Sequence, residues 1–160
     1  ELLFSTGLRI SELVALNRDQ IPLHGNERDM EIGIIGKGGR ARTVYVSARA
    51  MMWLKKYLRA RSDVDKPLFI NYRNYSGDSK RLTPRSIQAI IKNAAKIAGL
   101  PLTTTPHVLR HSFATDLLTK GVDIRILQEF LGHKNIAATQ IYTHVTNRQL
   151  QEIHRKFHGR

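Results

Sequence analysis

Apolar positions along this chain recur in two rhythms, helical and alternating, and the stop signals between them divide it into discrete elements. Residues 2–5 end a helix at Thr6-Gly7, and residues 9–16 set Ile10, Leu13, Val14 and Leu16 at helical spacing. Two short helical pieces are thus predicted to meet at a glycine turn. Residues 31–35 and 42–46 alternate or are β-branched, and they flank Gly36-Lys37-Gly38-Gly39-Arg40, the pattern of a hairpin with a glycine-rich tip. Ser47 is placed to cap a helix over 48–61, with Met51, Met52, Leu54, Tyr57 and Leu58 near one face and Arg49, Lys55, Lys56, Arg59 and Arg61 on the others. A polar loop over 71–82 follows. Thr83-Pro84 and Thr105-Pro106 each join an N-cap to a proline at the first helical position, predicting helices that run to Gly99 and from about 107 to 119, before Gly121. Asp123 caps a short helix stopping at Gly132, and another runs on to about Ile141. Thr146 to Gln149 has capping-box spacing for a last helix that carries Leu150, Ile153 and Phe157 on one side. The fold class expected is mainly α with a small antiparallel β-sheet (α+β), without internal repeats.

Length and composition narrow the classes. At 160 residues the chain is about one domain, and 41% hydrophobic residues suffice for a core. The absence of cysteine excludes disulfides, thiolate metal sites and a cysteine nucleophile. No apolar run is long enough to span a bilayer and no signal-like N-terminus is seen. Glu1 precedes an apolar Leu2-Leu3-Phe4, so the sequence is expected to be cut from a longer protein.

Charge changes the picture most. The formal net charge is +13, and it is concentrated: residues 32–115 hold 16 basic and 3 acidic side chains, whereas residues 1–31 hold 3 and 6. A field of this size points to a polyanionic partner, most simply nucleic acid. A membrane surface fits less well, because the positive charges do not line one face of a single amphipathic helix.

One stretch concentrates residues with chemistry. His107 and Arg110 lie three apart at a helix start, so they share a face at the end where the helix dipole favours anions. An imidazole and a guanidinium there can clamp a phosphate, although the pair alone also fits two solvated side chains. Gly7-Leu8-Arg9-Ile10-Ser11-Glu12-Leu13, the Lys37 hairpin, His107-x-x-Arg110, Leu131-Gly132-His133 and Ile141-Tyr142-Thr143-His144 then occur in that order. Together they resemble the catalytic domain of the tyrosine recombinase (phage integrase) family, most nearly its Xer-like branch.

The resemblance implies a tyrosine recombinase catalytic-domain fold over residues 1–160, with the family's N-terminal core-binding domain expected to lie outside this chain. It implies an enzyme that cleaves and rejoins double-stranded DNA through a covalent 3′-phosphotyrosine, with no metal, ATP or other cofactor. Arg9 and Arg110 would hold the scissile phosphate, Lys37 would be the general acid, His107 the base, His133 a hydrogen-bond donor and Tyr142 the nucleophile. Glu12 is expected to pair with or orient an active-site cation. Among DNA contacts, Arg85 with Ser86 beside it is expected at base edges, and Arg40, Arg42 and Lys134 at phosphates. The partners implied are DNA and other protomers, as a tetramer on paired sites, in the cytoplasm. The stripe on residues 147–157 fits either its own domain or, as in recombinases that look like this one, a neighbouring protomer.

Three alternatives remain at this level. His107, His111, His133 and His144 could ligate a metal, though no carboxylate sits between the first two as in H-E-x-x-H. A non-catalytic DNA-binding module would carry the same charge. A type IB topoisomerase-like enzyme would share the phosphotyrosine chemistry.

Overall fold

A computed structural model of the chain describes residues 1–21, 30–36, 39, 41–72, 80–132 and 147–158, the side chains of 147–151 apart. Helix α1 (Leu2–Thr6) ends at Gly7, whose φ of 61° closes the turn before α2 (Ile10–Ala15). That turn is tight: a Cβ on Gly7 would lie 2.6 Å from Cδ1 of Phe113. Strands β1 (Met30–Ile35) and β2 (Ala41–Val46) form an antiparallel hairpin, in register from Met30 opposite Val46 to Ile35 opposite Ala41. The alternation in β1 turns Met30, Ile32 and Ile34 into the core.

The remaining helices begin where the caps place them. Ser47 Oγ accepts the Ala50 N–H to open α3 (Ala48–Arg59), and Thr83 does the same for Ser86 in α4 (Pro84–Ile97). Thr105 caps Val108 in α5 (Pro106–Thr119), and Asp123 caps Arg125 in α6 (Ile124–Leu131). The final described helix is α7 (Asn147–His158). The helix expected to reach about residue 141 and the Thr146 capping box lie outside the described residues.

Two apolar clusters hold these elements together. One joins α1, α2, the inner face of the hairpin and α3, with Ile87 of α4 against it. The other gathers Tyr45, Phe113, Leu117, Val122, Leu127, Phe130 and Leu131, with Ile153 and Phe157 of α7 packed on it. In this single chain, therefore, α7 docks on its own domain. Its two buried histidines anchor it, with Nε2 of His154 2.9 Å from the Ser5 carbonyl and Nε2 of His158 2.7 Å from that of Phe4. Nδ1 of His158 also meets Asp116 Oδ2 at 3.0 Å.

Three side chains depart from the expected pattern on and around α3. Met52 faces solvent while Met51, Leu54 and Leu58 are buried, because the helix turns a narrower stripe inward than five apolar residues suggest. Arg61 is not a surface cation. The helix stops before it, and its guanidinium is buried, donating to the carbonyls of Asp65, Pro67 and Leu68 and pairing with Asp63. Arg81, expected in a solvated loop, reaches back to the end of α2 and donates to the carbonyls of Val14 and Leu16 at 2.6 and 2.9 Å. It satisfies the Val14 carbonyl, one that the helix terminus would otherwise leave open, and joins the Leu68 N–H on that of Leu16.

Candidate active site

Three of the six expected catalytic residues are described, and they converge. Arg9 caps the start of α2, His107 and Arg110 occupy the first turn and a half of α5, and all three line one cleft of about 470 Å³. Leu8, Ile10 and Ser11 complete one wall, Thr105 and Pro106 another. Gln88 enters from α4 and was not foreseen; no pattern in the sequence singles it out. A slightly larger hollow of about 530 Å³ lies beside Tyr72, Ser86 and Ile90, but its lining carries no charged group, so the chemistry belongs to the first.

Burial fixes each arginine differently. The Arg110 guanidinium is inside the protein, donating to the carbonyl of Gly7 and, at 2.7 Å, to that of Leu131. Desolvation lowers its pKa to about 10, helped by the neighbouring charges of Arg9 and Arg42 and opposed by Glu12. It stays protonated at neutral pH, and it ties the Gly7 turn to the end of α6. Arg9 is more open; its Nη1 donates to Glu12 Oε1 at 3.0 Å and its Nη2 to the Gly132 carbonyl at 3.2 Å. Two of its five N–H hydrogens are thus bound by these partners.

Glu12 is the buried anion at the centre. Its Oε2 accepts the Arg9 backbone N–H at 2.8 Å, and Arg42 grips both oxygens, at 2.7 and 3.0 Å. Burial pushes the carboxyl up, but the bonds from Arg42 and from the Arg9 backbone, with the Arg42 charge, outweigh it and hold the group below its usual value. Glu12 is thus paired with Arg9, the cation that the resemblance places in the site. Arg42 does not present the surface cation that a phosphate contact would use, because a buried carboxylate demands a counter-charge and the hairpin supplies it. The sequence shows both residues but not their partnership, since they are 30 positions apart on different elements.

The other expected residues fall into two groups. Arg85 is exposed in the first turn of α4, and Ser86 is half-buried with its Oγ 3.0 Å from Thr83 Oγ1. Lys37, Arg40, His133, Lys134 and Tyr142 lie outside the described residues, as does His144. His107 and His111 are both exposed. Two other tyrosines are internal: burial pushes the Tyr45 phenol up to about 12, and Tyr57 accepts the Ile70 N–H at 3.3 Å. Neither suits a nucleophile.

The phage integrase family pattern matches residues 1–149. The chain belongs to the phage integrase family. It is 43% identical over 164 residues to the tyrosine recombinase XerD of Listeria monocytogenes serotype 4b, matching all of this chain and 53% of that protein. It is 42% identical over 151 residues to the tyrosine recombinase XerA of Pyrococcus horikoshii, matching 94% of this chain and 50% of that one. Among solved structures, the XerA recombinase crystal structure superposes with a TM-score of 0.71 at 33% identity, over 99% of this chain and 56% of its own. The XerH recombinase bound to its palindromic difH substrate after cleavage gives a TM-score of 0.66 at 30% identity, over 94% and 43%. The chain therefore spans about half the length of the family relatives it matches, and its fold is that of tyrosine recombinase catalytic domains. No helix among the described residues is long and apolar enough to cross a membrane.

Proposed function

We propose that this protein is a site-specific tyrosine recombinase that cleaves and rejoins DNA strands through a 3′-phosphotyrosine. The observation that carries the reading is the meeting of Arg9, His107 and Arg110 in one cleft at the N-terminus of α5. Arg110 is held there by two backbone carbonyls, so its fork is oriented before any ligand arrives. In-line attack on a phosphodiester builds negative charge on the non-bridging oxygens, and fixed guanidiniums and a helix N-terminus meet that charge without reorganising. Arginine suits the role because its planar fork stays charged and binds two oxygens at once.

The steps follow from the chemistry of the groups. The Tyr142 oxygen, its proton taken with help from His107, attacks the phosphorus. The bond to the 5′-oxygen breaks, and that oxygen takes a proton from Lys37. His133 donates a hydrogen bond to the phosphate. The phosphotyrosine ester keeps the bond energy, so the 5′-hydroxyl of a strand reverses the step without ATP or metal. Arg85 and Ser86 would read bases, and Arg40 and Lys134 would bind phosphates. In the whole protein this chain would be the catalytic domain, following a core-binding domain and working as a tetramer on paired DNA sites in the cytoplasm, with α7 able to dock on a neighbouring protomer.

The test is covalent trapping on a pool of nicked duplexes of randomised sequence, with and without chelator. A protein–DNA band that survives chelator and disappears in Tyr142→Phe is expected. Binding without any adduct would leave only a DNA-binding module, and an adduct that persists in Tyr142→Phe would remove the nucleophile.

A further inference from the structure

The hairpin arginine Arg42 takes no part in the steps above, yet it is among the more firmly held cations near the cleft. Its side chain is only 14% exposed. Both Nη atoms point at Glu12, and Nε is buried with no hydrogen-bond partner among the described residues. The side chain lies across Gly132, where a Cβ would come within 3.0 Å of Nη1 and 3.1 Å of Cδ. Glu12 meanwhile binds the backbone and the guanidinium of Arg9, and the Gly132 carbonyl binds Arg9 Nη2. Arg42, Glu12, Arg9 and Gly132 thus close a ring that joins β2, α2 and the end of α6.

Charge explains what the ring achieves. Glu12 and Arg9 alone sum to zero, so a carboxylate 3.0 Å from Nη1 would cancel the cation the phosphate needs. With Arg42 bound to both oxygens the trio carries +1, and with Arg110 the group carries +2. We infer that Arg42 is a positioning residue for strand cleavage: it neutralises Glu12, so that Arg9 is both aimed by the carboxylate and left with its charge for the phosphate. Direct contact with the phosphate is not its role, because Arg9 and Arg110 line the cleft and Arg42 does not, acting on it through Glu12 instead.

The inference rests on the recombinase reading, and the experiment separates the two. Adduct formation in a single turnover at saturating DNA is measured on a nicked duplex recovered from the trapping pool, beside the DNA dissociation constant and the melting temperature, for wild type, Arg42→Gln, Arg42→Lys and Arg42→Gln/Glu12→Gln. Orthovanadate binding to the DNA-free protein is measured in parallel. Arg42→Gln is expected to slow adduct formation about 10–100-fold, a fraction of what losing an oriented donor costs, with the DNA dissociation constant changed less than about twofold. Adding Glu12→Gln should recover about fivefold or more, because a neutral amide no longer cancels Arg9, and Arg42→Lys should fall between. Vanadate affinity should follow the same order. A loss of DNA affinity with an unchanged rate at saturation would make Arg42 a phosphate contact and overturn the inference, as would a slow Arg42→Gln that Glu12→Gln does not rescue in either assay. Should Arg42→Gln fail to fold, the double variant measured against Glu12→Gln alone carries the test: with no carboxylate left to neutralise the two rates should agree within about twofold, and a double variant about tenfold or more slower refutes the inference. A wild type that forms no adduct refutes the recombinase reading, and the vanadate series then still decides whether Arg42 governs anion binding at Arg9.

Discussion

Replacing Gly7 by alanine tests the link between the first turn and Arg110, the arginine proposed to hold the phosphate. Two costs are legible. An alanine at φ of 61° is in left-handed backbone, worth about 1–2 kcal/mol. Its Cβ would also stand 2.6 and 2.9 Å from Cδ1 and Cε1 of Phe113 and 3.2 Å from Cδ2 of Leu131. Phe113 is fully buried and cannot step aside, so overpacking adds about 1–3 kcal/mol. Against both stands about 0.4–1 kcal/mol gained from a less flexible unfolded chain. Gly99 supplies the control, since its φ is 67° and its Cβ would meet nothing within 4 Å. The backbone and unfolded-chain contributions cancel between the two variants. Urea unfolding followed by circular dichroism should therefore show Gly7→Ala about 1–3 kcal/mol less stable than Gly99→Ala. With the ring fixed, the Gly7 turn itself must give, and its carbonyl accepts from Arg110, so adduct formation should fall further in Gly7→Ala than in Gly99→Ala. A stability difference below about 0.5 kcal/mol would refute the packing argument.

Two further outcomes follow from the same contacts. Arg85→Ala should narrow the discrimination between the trapped sequence and random DNA by about 1–3 kcal/mol in competition binding, whereas equal losses on both would make Arg85 a phosphate contact. His154 concerns acid stability: burial first, and then the neighbouring His158, push its imidazole down to about 4, against the bond to the Ser5 carbonyl. Its folded pKa is below the unfolded value of about 6.5, so the unfolded chain binds the extra proton and stability is lost as pH falls through that window. Unfolding at pH 4.5 should cost about 2–3 kcal/mol less than at pH 7 on this account, and His154→Gln, which keeps a donor for Ser5 but does not titrate, should flatten that slope. An unchanged slope would mean that other groups set it.

What the sequence by itself determined is local. The caps at Ser47, Thr83, Thr105 and Asp123 open helices because a side-chain oxygen two or three residues upstream meets a free N–H, and that geometry is written in the spacing. Alternation placed Met30, Ile32 and Ile34 inward for the same reason, since a strand has period two. The motif order alone assigns Arg9, His107 and Arg110 to one site by resemblance, and the cleft brings those three together. Tertiary structure alone decided which distant partner each enclosed polar side chain takes. Arg42 meets Glu12 across 30 residues, Arg81 meets the end of α2 across more than 60, and His154 meets Ser5 across 149. Arg61 looks in sequence like its solvated neighbours Lys55, Lys56 and Arg59, and only the chain's return through Pro67 and Leu68 buries it. Helical and strand periods are fixed by neighbours within a few residues, whereas the cost of burying a charge is settled by whatever the fold brings alongside it.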